Sequence, residues 1–150
     1  AAQKAAAEEV LLALDARVVD QAAARTAHVA ALSPVDRIVE AFRAQPMKEI
    51  ERKVVQVLLD NPDASSPVLT KKAGWTGKTA WHLRFGTMCK AREDRLWPAE
   101  PAETRPGDFY TGILADYSKA TQGFTMKPEA VEAFAVLGLR PSPAAGPAAT

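Results

Sequence analysis

The chain holds a single cysteine, Cys89, in 150 residues. No internal disulfide can form and no zinc site can be built from thiolates alone, so the fold must stand on packing, and a reducing compartment is expected. No apolar run approaches the roughly 18 residues that a membrane-spanning helix needs. The alanine-rich start also lacks the basic-then-hydrophobic order of a secretion signal. A cytoplasmic protein with no membrane partner is the expectation. Local signatures of catalysis are missing too: there is no phosphate-cradling glycine loop, no Gly-x-Ser-x-Gly elbow and no zinc-ligand spacing. The string "GWTGK" pairs a glycine with a lysine but lacks the first glycine and the strand context of a P-loop. No cofactor or metal is expected. An enzyme would have to assemble its residues from distant parts of the chain, so binding without chemistry is the expected mode.

The most informative absence is of acid. Between Asp63 and Glu93 there is no carboxylate, while Lys71, Lys72, Lys78, Arg84, Lys90 and Arg92 all fall there. The whole chain has a formal charge of only +1, but residues 1–45 carry −1, residues 46–97 carry +4 and residues 98–150 carry −2. Positive charge gathered on one segment of a nearly neutral chain points to an anionic partner. With 47% hydrophobic and 25% charged residues, the composition is that of a globular protein, and the length suits one compact body with appendages.

Helical signals dominate. Residues 1–32 contain neither glycine nor proline and are rich in alanine, which predicts a long amino-terminal helix with Val10, Leu11, Leu14, Val18, Ala22, Val29 and Leu32 on a thin stripe. Such a helix is marginal alone and needs the body of the protein or a second copy of itself; a homodimer through residues 5–32 is the candidate arrangement. Ser33 and Pro34 start a second helix with Val35, Ile38, Val39 and Phe42 on one face. A third follows with Ile50, Val54, Val57 and Leu58. Ser66 as cap, Pro67, Val68, Leu69 and Ala73 predict a short helix stopped by Gly74, and Thr76 is placed to cap a cationic helix starting near Lys78 and interrupted at Gly86. Beyond Trp97 a proline-rich connector leads to "FYTGILADY" and "GFTMK", read as the strands of a hairpin. A last helix starts at Pro128, buries Val131, Phe134 and Leu137, and ends at Gly138; the tail after it should be disordered. The organisation is thus a helical segment over 1–45, a trihelical unit over 46–97, a connector, hairpin and helix over 98–138, and a tail over 139–150.

Over residues 47–127 the string "VVQVLLDNPDASSPVLTKKAGWTGKTAWHLRFGTMC", followed by the hairpin, resembles the winged-helix variant of the helix-turn-helix class. The fold class expected is therefore mainly α, with a winged-helix-like core, a small β-hairpin and a long amino-terminal helix. The resemblance implies that the cationic helix enters the major groove of double-stranded DNA while neighbouring helix ends and the wing touch phosphates. At 100° per residue, Trp81, Phe85, Met88 and Cys89 share the core face, and Thr79, His82, Leu83, Arg84, Gly86 and Lys90 lie opposite. Arg84 would then grip guanine, Thr79 and His82 would reach base edges, and Lys71, Lys72, Lys78 and Lys90 would hold phosphates. Gly86 would let backbone approach the duplex.

Blander readings compete. A cationic stretch is often only a solvated helix face, and the same surface could meet RNA or an acidic protein if the chain is a helical adaptor or assembly protein. Trp75, Trp81 and Trp97 suit packing better than base stacking. His82 and Cys89, seven residues apart, are about 10 Å apart on a helix, too far for a catalytic pair or shared metal, so Cys89 reads as a small buried hydrophobe.

Overall fold

The computed structural model describes residues 2–103 and 106–143, with side chains from residue 16 onward except that of residue 22. The chain divides into two compact units, Ala1–Leu32 and Ser33–Thr150. The first unit holds helix α1, Ala2–Ala31. The side chains of Val10, Leu11, Leu14 and Ala22, expected on its apolar stripe, lie outside the described residues. Val18 and Val19 are exposed on its surface.

The second unit is mainly helical with a small antiparallel sheet. Helix α2, Pro34–Ala44, starts where Ser33 and Pro34 direct it, the Ser33 hydroxyl accepting from the Asp36 amide at 3.2 Å. Its buried face is Ile38, Val39, Ala41 and Phe42, and Phe42 meets Phe134 of helix α6, Pro128–Val136, edge-on at 5.2 Å. Thus α2, grouped with the amino terminus on sequence, packs within the larger unit. Helix α3, Glu49–Asp60, buries Val54, Val55, Leu58 and Leu59. Ile50 stays exposed and Val57 half-buried, because α3 is packed on two sides, against helix α5, Ala80–Lys90, and the sheet, and pairs of adjacent residues turn inward.

Between α3 and helix α4, Ser66–Lys72, a short strand β1, Ala64–Ser65, pairs with β5, Gly123–Met126, which pairs in turn with β4, Ala115–Tyr117. The sheet order is therefore β1-β5-β4. Gly123 is required at this junction, since a Cβ there would lie 2.2 Å from the Asp63 carbonyl oxygen. The Thr121 hydroxyl donates to the Asp63 carboxylate at 2.7 Å and fastens the hairpin turn to the end of α3. The hairpin is shorter than "FYTGILADY" predicts. Tyr110–Ile113 form a 3-10 turn, and the strand begins only at Ala115. Tertiary contact overrides the strand propensity of these residues: Thr111 is buried and its hydroxyl donates to the His82 carbonyl at 3.0 Å. Phe109 pairs instead with the connector, strand β2, Glu100–Pro101, lying antiparallel to β3, Asp108–Phe109.

Trp81 is the hub of the core. Its indole N–H donates to the Val54 carbonyl at 3.0 Å, its backbone N–H to the Thr70 hydroxyl at 3.1 Å, and its ring packs on Phe85 and Phe124 at about 5 Å. One residue therefore joins α3, α4, α5 and β5. Helix α6 stops at Gly138 as expected, with Ala130, Ala133 and Phe134 buried and Val131 and Leu137 half-buried. The start of the tail is docked and not loose: the Ser142 amide and hydroxyl donate to Asp60, and Gln56 donates to the Arg140 carbonyl. Residues 144–150 of the expected disordered tail lie outside the described residues.

Candidate nucleic-acid interface

The surface is built from α4, the turn after it and α5, Ala80–Lys90. Ser65, not Ser66, caps α4, its hydroxyl facing the Val68 amide at 3.5 Å, and Ser66 instead holds His82 Nδ1 at 2.8 Å. Leu69 and Ala73 are buried as the spacing predicts, whereas Val68 is exposed. Lys71 and Lys72 sit in the last turn, where the helix dipole favours cations, and both point to solvent. The chain then turns through Gly74 and Gly77, whose φ angles of +83° and +89° belong to glycine's left-handed region. Helix α5 consequently starts at Ala80, later than Lys78. Lys78 and Thr79 lie in the turn, both exposed, and Thr79 occupies the cap position, with Thr76 behind it in the turn.

On α5 the split between core and surface differs from the one predicted for a bare helix. Trp81, Phe85, Met88 and Cys89 are buried, as the stripe requires. Gly86 does not interrupt the helix and does not face outward. It is buried against the 3-10 turn, where an added Cβ would lie 3.2 Å from Thr111 Oγ1. Its proposed role in close approach to a duplex is therefore withdrawn. His82 is half-buried and committed to Ser66, so it cannot serve as a free reader of base edges. The solvent-facing arc is Leu83, Arg84, Thr87 and Lys90. Thr87, absent from the sequence-based set, donates its hydroxyl to the Leu83 carbonyl at 2.8 Å.

Lys71, Lys72, Lys78, Arg84 and Lys90 all reach the surface, and none is ion-paired with a described carboxylate. Arg92, the remaining cation of the acid-free run, is different. It is buried, and its guanidinium bonds both oxygens of Glu51 at 2.9 and 3.0 Å, the carbonyls of Gln45, Pro46 and Met88, and the face of Phe42. Burial works to raise the Glu51 pKa. The hydrogen bonds from Arg92 and the Lys48 amide, with the guanidinium charge, outweigh it and hold this carboxyl below its ordinary value. Two cations of the run lie on aromatic rings, Arg84 4.7 Å from the Trp75 ring centroid and Lys90 5.3 Å from that of Tyr110, and Lys53 of α3 lies 5.4 Å from the Trp75 centroid. Trp75 and Lys53 were not legible as site residues, because their meeting depends on the turn that carries Trp75 back to α3.

A groove of about 1000 Å³ opens beside the hairpin, lined by Trp97, Phe109, Tyr117 and Phe124 with Ser66 and His82 at one edge. Its wall carries Glu100 and Asp116, while Glu103 is bound to Lys119. Among the described residues no group of three His, Cys, Asp or Glu is placed to hold a metal ion. Cys89 is fully buried and desolvation pushes its thiol pKa far up, so it is not a nucleophile. No helix among the described residues is long and apolar enough to cross a membrane. Neither a protein-family model, nor a curated protein, nor a solved structure matches the chain.

Proposed function

We propose that the Ser33–Thr150 unit binds double-stranded DNA through a winged-helix form of the helix-turn-helix fold, as a small cytoplasmic regulator of bacterial or phage type, without chemistry. The observation that carries this reading is the set of exposed cations of α4, the glycine turn and α5, Lys71, Lys72, Lys78, Arg84 and Lys90, none of them ion-paired with a described carboxylate. A run of exposed cations with no acid among them in the chain suits a polyanion. The succession of α3, α4, the glycine turn, α5 and the β4–β5 hairpin supports the same reading. Leu83, Thr87 and Lys90 replace His82 and Gly86 as the residues assigned to the groove, with Arg84, Lys71, Lys72, Lys78 and Thr79 at phosphates. Self-association through residues 5–32 would supply the second half-site; exposed Val18 and Val19 favour it.

The test is fluorescence anisotropy with a random duplex of about 25 base pairs at roughly 50 and 200 mM salt, since binding through four to six phosphates weakens tenfold or more over that range. Parent binding of that kind, lost in Lys78→Glu with Arg84→Glu, is the expected result. One observation favours a second reading, a helical adaptor: Leu83 and Val68 are exposed at 59% and 45%, and large apolar side chains so exposed suit a protein partner. Absence of duplex binding at 50 mM salt would decide for it.

A further inference from the structure

We propose that Trp75, with Arg84 of α5 and Lys53 of α3 held over its ring, forms a second phosphate site that carries a nucleic-acid backbone from α5 across to α3. This rests on the DNA-binding reading above. The guanidinium carbon of Arg84 and the ammonium of Lys53 lie 4.7 and 5.4 Å from one ring centroid. The two charges are thus at most about 10 Å apart, near the screening length of roughly 8 Å at physiological salt. They repel each other, and neither has a described carboxylate to relieve it. A bridging anion completes the arrangement.

The indole is a fixed support. Its backbone amide donates to the Thr70 carbonyl at 3.0 Å, and the glycine turn anchors it between the two helices. Cations over an aromatic face keep their outer N–H groups for another acceptor, and with Arg84 on the ring the indole serves to hold charge and not to stack a base. Arg52 adjoins Lys53 on a shallow groove of about 790 Å³ that continues past Trp75 to Leu139. Glu49, with no ion pair among the described residues, also lines that groove. Around Trp75 the cations Arg84, Lys53 and, in the groove, Arg52 are thus separate charges and not one cluster. A phosphodiester chain, with one charge per repeat, is the occupant that matches them.

The experiment compares the intact parent chain with Lys53→Glu, Lys53→Arg and Trp75→Ala against the 25-base-pair duplex over a salt series, with Arg43→Glu, exposed in the last turn of α2, as a control for net charge. Lys53→Glu is expected to weaken binding about tenfold and to lower the slope of log K against log salt by about one, as the loss of one phosphate contact requires. Lys53→Arg should bind as the parent does, Arg43→Glu should keep the parent slope, and Trp75→Ala should weaken binding severalfold. A Lys53→Glu slope and affinity equal to the parent's, with Lys78→Glu and Arg84→Glu still abolishing binding, overturns the second site and leaves the DNA reading standing. A parent that binds no duplex at 50 mM salt, or prefers a polyglutamate peptide, overturns both.

Discussion

At the scale of single residues, the buried pair of Arg92 and Glu51 has the largest energetic stake. Every donor of the guanidinium is engaged, so removing its partner leaves a desolvated charge with only carbonyls around it. Glu51→Gln should therefore cost about 3–5 kcal/mol, read from the urea midpoint at neutral pH, whereas replacing both residues with methionine should cost much less. The pair also sets acid sensitivity. Because the Glu51 pKa is lower folded than unfolded, its contribution is complete above the ordinary value of 4.5 and is lost as pH falls through the folded value. Urea midpoints measured from neutral pH downward should fall more steeply below about 4.5 for the parent than for the methionine pair. Cys89 gives a second residue-scale expectation: its burial and raised pKa should make alkylation by a thiol reagent follow unfolding, with rates that climb across the urea transition.

At the scale of elements, what could be read from sequence was whatever depends on near neighbours in the chain. Ser33 with Pro34, the stripe of Trp81, Phe85, Met88 and Cys89, and the stop at Gly138 all act within a turn or two, and all took the positions that spacing gives them. The misassigned residues depend on distant partners. Ser66 left its capping role for His82, Gly86 turned toward Thr111, and Arg92 left the basic surface for Glu51, each across 16 or more residues of chain. The seam between α5 and the 3-10 turn follows from this and is testable: Gly86→Val would push branched methyls into Thr111 and should cost about 1–3 kcal/mol. Thermal unfolding followed by circular dichroism would measure that, with a smaller loss for Gly86→Ala.

At the scale of the whole molecule, the hydrophobic core among the described residues runs from Ile38 to Phe134, within the second unit. Residues 33–150 alone should therefore unfold cooperatively, with a midpoint within a few degrees of the full chain's. Light scattering on the same pair would test self-association: if residues 5–32 join two copies, the full chain should weigh as a dimer and the fragment as a monomer. The candidate interface was legible as an excess of charge but not as a set of partners, because a composition cannot say which cations stay outside. The three tryptophans now add an optical consequence. Trp81 is sealed in the core, Trp75 sits beneath two cations on the proposed binding surface, and Trp97 lines the groove beside the hairpin with Lys127 near its ring. Emission from the first reports whether the molecule is folded, and emission from the second whether an anion has come to the cations over its ring, so one intrinsic spectrum can separate unfolding from occupancy without any added dye.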